Sequence, residues 1–188
     1  ACLERAVEEM QTNRRLDKQA AEQIIDFIRN FADGCHHAKE EDRLFPAMES
    51  KGMPRQGGPI GVMLTEHELG RNFVSGMREH LDAAVAGETS AMEQFARHAL
   101  GYGQLLRQHI QKEDQILFPM ADRMMSPDDE SILMAQFAEA EAHVGDGTHE
   151  RLLAVAASLA DRYQVSKEHI MRLKSGGCCH GHCADRPD

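Results

Sequence analysis

His36-x-x-x-Glu40-x-x-x-Leu44-Phe45-Pro46 and His109-x-x-x-Glu113-x-x-x-Leu117-Phe118-Pro119 are two copies of one pattern in a chain of 188 residues. Residues four apart on an α-helix stand one turn above each other on one face. Each copy therefore sets an imidazole beside a carboxylate on a single helix. Two such helices facing each other converge two nitrogen and two oxygen donors, a set that suits a borderline divalent metal. The pair constrains the fold to one that lays two helices side by side with these faces inward.

The rest of the chain agrees with helices. It is rich in Ala, Leu, Met, Glu, Gln and Arg, and it lacks alternating runs of β-branched and aromatic residues. The fold class read from this is all-α, in one domain with its own core. Residues 1–13 read as the end of a first helix, with Leu3, Val7 and Met10 on one face. A long second helix is expected over about 16–50 and a third over about 59–86, parted by Gly and Pro residues between 52 and 59. A fourth is expected over about 89–125. The fifth covers about 128–163 and is interrupted near Gly145-Asp146-Gly147; a short helix begins near Ser166.

Two of these helices carry unbroken heptad stripes. Ile60, Met63, His67, Gly70, Val74, Met77, Leu81 and Ala84 alternate gaps of three and four, as do Phe95, Ala99, Tyr102, Leu106, His109, Glu113, Ile116 and Met120. Such seams face a bundle interior. His67, His109 and Glu113 stand where apolar residues belong, and a buried carboxylate costs several kcal/mol unless it is compensated. A metal ion would compensate it. Tyr102, two turns before His109, reads as a core residue near the edge of this site. On the second helix, helical counting from Ile25 through Ile28 and Ala32 leads to His36, then Glu40 and Leu44. Counting from Asp26 through Asn30 and Asp33 leads to His37 and then Glu41. His36 is therefore expected to face inward, with His37 and Glu41 as a solvated pair.

These residues resemble the hemerythrin-like (HHE cation-binding) family. The resemblance rests on the doubled motif and on Glu66-His67-Glu68, and covers about residues 1–125. It implies an up-down four-helix bundle around two non-haem irons. Carried over residue by residue, Glu40 and Glu113 would bridge the metals, while His36, His67 and His109 would each ligate one. The family's first helix normally supplies a further His, and none precedes His36 here. Either a His upstream of Ala1 completes the implied set, or the set has five protein ligands, for two irons or one, with zinc as a substitute.

The domain reading is a metal-binding bundle over 1–125, a helical extension packed on it over 126–174, and a flexible Cys/His-rich tail over 175–188. That tail holds Cys178, Cys179, His180, His182 and Cys183, a cluster too compact for a structural zinc site. Cys2 and Cys35 stand apart from it, so the cysteines form no spaced disulfide framework, and a reducing compartment is expected.

A net charge of −10 disfavours nucleic acid and anionic membranes as partners. Residues 1–30 lack an apolar signal core, and no apolar run is long enough to span a membrane. A cytoplasmic protein is expected, with homodimerisation left open. The resemblance implies small diatomic ligands, oxygen or nitric oxide, or sensing of iron. The alternative is a di-iron redox enzyme reducing nitric oxide or peroxide, or delivering iron for cluster repair. The chain carries no flavin or nicotinamide fingerprint, which favours binding or sensing.

Overall fold

The computed structural model describes residues 1–143 and 147–168, and the described residues are all-helical, with no strand among them. The elements are α1 (Cys2–Asn13), α2 (Lys18–Phe27), α3 (Phe45–Ser50), α4 (Pro59–Val85), α5 (Thr89–Lys112), α6 (Phe118–Met124), α7 (Pro127–His143) and α8 (Thr148–Arg162). Three wider, π-helical stretches lie between them: π1 (Ile28–His37), π2 (Glu40–Leu44) and π3 (Glu113–Leu117). The Cys/His cluster of the tail lies outside the described residues. No helix among those described is long and apolar enough to cross a membrane.

Local chemistry marks the helix ends. Arg14 closes α1 in the left-handed region at φ 54°. The Asp17 carboxylate caps α2 by accepting the Ala20 N–H at 2.8 Å. Ser126 and Asp129 cap α7 reciprocally: Asp129 accepts the Ser126 N–H at 2.9 Å and donates its own N–H to the Ser126 hydroxyl at 3.3 Å.

The expected long second helix runs from Lys18 to Ser50, but it is not α-helical throughout. Proline explains two of the interruptions. Pro46 and Pro119 have no N–H to give the carbonyl four residues back, and their rings press on that carbonyl. The turn before each proline widens to relieve this. Phe45 donates its N–H to the Glu40 carbonyl, and Phe118 donates to the Glu113 carbonyl, each five residues back. The Leu-Phe-Pro ending of the motif is thus the cause of a π turn that begins at each motif glutamate. In π1, a Cβ on Gly34 would come within 3.1 Å of the Arg29 carbonyl oxygen, five residues back, so the residue without a side chain suits that wide turn.

α4 packs along α5, with α1 against α5, α2 against α4, and α8 against α2. The apolar core forms two main clusters. One joins Leu3, Val7 and Met10 to Ile24, Ile28, Val74, Met77, Phe95 and Tyr102. The other joins Leu44, Phe45 and Met48 to Ile60, Met63, Leu117, Leu133 and Phe137. Along α4, His67 falls between Met63 of the second cluster and Val74 of the first. A polar layer is thereby sealed between two apolar ones.

All eight residues of the α4 stripe are buried, as expected. On the next helix the stripe is buried at Phe95, Ala99, Tyr102, His109 and Glu113, with Leu106 half-buried, and then slips. Ile116 is 47% exposed and Met120 half-buried, while Leu117 and Ala121 take the inward places. The slip is one residue and it occurs at π3.

Candidate metal centre

His37, Glu40, His67, His109 and Glu113 are all buried in this layer. The placement of His37 corrects the sequence expectation. It is 7% exposed rather than solvated, whereas the His36 side chain is 22% exposed. The reason is π1. An α turn from Ala32 returns to the same face at His36; a turn closed by bonds to the fifth residue back returns one position later, at His37. Nor do His37 and Glu41 form a surface pair. His37 Nδ1 lies 3.4 Å from Asp33 Oδ1, and Glu41 accepts a hydrogen bond from His67 Nδ1 at 2.7 Å.

The inward-facing atoms converge. Glu40, His67, His109 and Glu113 each place a donor atom within 4.8 Å of the others, and His37, His67 and His109 do the same. His67 Nε2 stands 3.3 Å from Glu40 Oε2, and His109 Nε2 stands 3.1 Å from Glu113 Oε1. His36 Nε2 reaches the same carboxylates, at 3.4 Å from Glu113 Oε1 and 3.8 Å from Glu40 Oε1. The His37 and His67 rings stack with centroids 3.9 Å apart.

These approaches do not satisfy the atoms involved. Both Glu40 oxygens, His67 Nε2 and His109 Nε2 are buried with no aligned hydrogen-bond partner. Buried polar atoms are normally paired, and several orphans in one place call for an explanation. Ligand atoms at about 2.1 Å from a first-row metal stand about 3–4 Å from each other. The separations found here match that spacing, and imidazole with carboxylate suits such a metal. The donor set therefore fits a cation.

An outer ring of carboxylates orients the imidazoles. Glu41 holds Nδ1 of His67, Glu66 Oε2 lies 3.0 Å from Nδ1 of His109, and Asp33 faces Nδ1 of His37. With Nδ1 engaged outward, Nε2 is left for the centre, the usual second-sphere arrangement of metal-binding histidines. The carboxylates are anchored in turn. Arg71 donates to Asp33 at 2.9 Å and to Glu41 at 2.7 Å, and Lys112 pairs with Glu66.

Ionisation is correspondingly uneven. Burial pushes the Glu40 carboxyl up. Burial also acts on Glu113, but the adjacent imidazoles of His109 and His36 outweigh it and hold its carboxyl well below the usual range. Burial lowers His109 as well, yet the neighbouring Glu113 carboxylate reverses this and raises it. His37, desolvated and near other imidazoles, is lowered to about 4. His37 thus stays neutral near pH 7, the form in which imidazole binds metals.

Residues 2–121 match the family model of the hemerythrin HHE cation-binding domain. The chain belongs to that family. Uncharacterized proteins of Mycobacterium tuberculosis and Mycobacterium bovis are 26% identical to it over 120 residues, which cover 64% of this chain. The chain spans 46% of the length of these relatives. No solved structure matches it.

Within this HHE domain, sequence reasoning missed His37 and the outer groups Asp33, Glu41, Glu66, Arg71 and Lys112. Glu66 had a signal, since it flanks His67 in sequence. The Phe-Pro pairs also had one, as markers of widened turns. The contacts of Asp33 and Arg71 had none, because they join separate helices.

Proposed function

We propose that this chain is a hemerythrin-like protein, built as an up-down four-helix bundle, that holds non-haem iron and binds or senses oxygen, nitric oxide or iron. The carrying observation is the set of buried, partnerless donor atoms on Glu40, His67 and His109. In this reading the carboxylates of Glu40 and Glu113 and the imidazoles of His36, His67 and His109 would hold the metal. His37, buried and within reach of His67 and His109, joins them as a further imidazole.

Iron in such a site supplies reversible binding of a small ligand at an open position. The protein's own part is to fix and dry the site. Glu41, Glu66 and Asp33 hold the imidazole rings in place, and the apolar clusters above and below exclude water. The experiment is elemental analysis of protein from iron-replete cells, with optical spectra of anaerobic samples before and after oxygen or nitric oxide. One to two irons per chain and a ligand-dependent spectrum are expected. Stoichiometric zinc without iron would remove the reading.

A further inference from the structure

Among the described wide stretches, π1 alone has no local cause. π2 and π3 each run into a proline that forbids the ordinary bond, whereas π1 contains none and precedes none. Gly34 removes a clash with the Arg29 carbonyl, which permits the wide turn without favouring it. Such turns normally occur singly inside α-helices, yet π1 extends over ten residues. Contacts from outside must offset what the backbone gives up.

Two helices flank π1. Toward α4, Ile28 and His37 line one cavity with Gly70 and Val74, and Arg71 holds Asp33. Residues as far apart as Ile28 and His37 fall on opposite sides of an α-helix of about 3.6 residues per turn. Turns closed by bonds five residues back return them to one side. Their shared wall is therefore the mark of the wide register.

Against another face of π1 stands α8, which lies past the residues matched to the HHE domain. Phe27, Phe31 and the His149 ring of α8 form one column, with successive centroids 4.9 and 5.3 Å apart and planes 13° and 16° from parallel. The His149 ring packs there although its Nε2 is buried with no hydrogen-bond partner among the described residues, so stacking is its contribution. Beside the column, Phe31, Cys35, Leu152 and Leu153 close a buried cluster of their own. α8 is also fixed at its other end, where Leu159 and Ala160 enter the first core cluster and Arg162 pairs with Asp17 at 3.0 Å. In an α-helical register His36 would take the place of His37, and the same rotation would swing Cys35 out of the cluster with α8. Packing against α8 thus favours the wide register over the ordinary one.

We propose that α8 positions the metal centre through His149, Leu152 and Leu153. It holds π1 in the wide register and so keeps His37, rather than His36, turned toward His67 and His109. The effect on metal binding rests on the iron reading; the hold on π1 does not.

The test compares the full chain with its Leu152→Ala/Leu153→Ala variant, both metal-free, by reaction with diethyl pyrocarbonate. Fragmentation mass spectrometry reads each histidine separately. In the unaltered chain the His36 side chain, 22% exposed, should react faster than that of His37, 9% exposed. The variant should lose that order or reverse it. His149→Ala keeps both leucines and should shift the order in the same direction, so it decides the matter if the double variant fails to fold. The second readout is iron content after His36→Ala or His37→Ala is added to each chain. The greater loss should pass from His37→Ala to His36→Ala, and the α8 variants alone should bind ferrous iron about tenfold more weakly.

A merely structural α8 would raise the reactivity of His36, His37, His67 and His109 together and leave His36 ahead of His37. That result overturns the proposal whatever the iron content, and full iron content beside it would leave the iron reading standing. A reversed order in a chain that takes no iron would support the hold on π1 and remove only the iron reading.

Discussion

The two copies of the His-x-x-x-Glu motif are nearly identical in sequence and differ in what leads into them. The regular helix α5 runs up to the second copy, and its histidine, His109, is buried on the stripe that helical counting indicates. The π-helical stretch π1 runs up to the first copy, and the buried histidine there is His37, one position after the motif residue His36. The glutamates Glu40 and Glu113 are buried in both copies, each opening a π turn before Phe-Pro. The motif lysines diverge as well. Lys39 is 2% exposed and pairs with Glu141 of α7, whereas Lys112 is half-buried and pairs with Glu66 of α4. A short motif carries its chemistry with it, but the turn upstream decides which residue presents that chemistry to the interior.

The glutamates are what the copies share, so their removal should have the largest effect. Metal that binds only the folded chain stabilises it by about 4 kcal/mol at a thousandfold excess over Kd. The rise in Tm on adding ferrous iron should vanish in both Glu40→Ala and Glu113→Ala. A full rise in either variant would show that the two copies are not equivalent at the carboxylate.

The histidines test what the copies do not share. His109→Ala should weaken metal binding by more than about a hundredfold. In the first copy, His37→Ala should lower iron content at least as much as His36→Ala. Retention of iron by His37→Ala, with loss in His36→Ala, would mean that π1 does not choose the ligand. Elemental analysis of the three variants decides this.

The lysine partners should separate folding from metal binding. Glu141→Gln weakens a charged contact to a fully buried lysine and should cost about 2 kcal/mol in urea unfolding of the metal-free chain. Glu66→Gln acts on a half-buried lysine and should cost less than about 1 kcal/mol. It should nonetheless weaken metal binding about tenfold, because Glu66 also orients His109. The reverse pattern would remove the distinction between a lysine that docks α7 and one that supports the centre.

The smallest effect is expected at the Asp17 cap, far from either copy. Asp17→Ala should cost about 1 kcal/mol near neutral pH. The bond from the Ala20 N–H, with Arg162 nearby, lowers the Asp17 pKa in the folded chain. Its stabilisation is therefore complete above the unfolded value of about 3.9 and is lost as pH falls through the lower folded value. Urea midpoints of the wild type and the variant should converge as pH falls below the ordinary carboxylate range, without any change in iron content. A change in iron content would mean that α2 transmits its N-terminal end to the centre.

Helix content, breaks and inward stripes were legible in the chain itself. The eight-residue stripe of α4 was read correctly because α4 keeps one period from Pro59 to Val85 and its packing face follows from that period alone. The burial of Glu40, His67, His109 and Glu113 followed from the same count. Counting failed at His36 and His37, and at Ile116 and Leu117, each time by one residue and each time at a π turn. Pro119 announced the turn behind the second slip. No proline marks π1, whose wide turns carry Phe31 and Cys35 into contact with Leu152 and Leu153 of α8. The sequence by itself determined the residue types, their helical spacing and the two proline-widened turns, because these rest on backbone chemistry within a few residues. Only the tertiary structure decided which imidazoles face the centre and which carboxylates hold them, because those choices depend on helix phase and on contacts between helices distant in sequence.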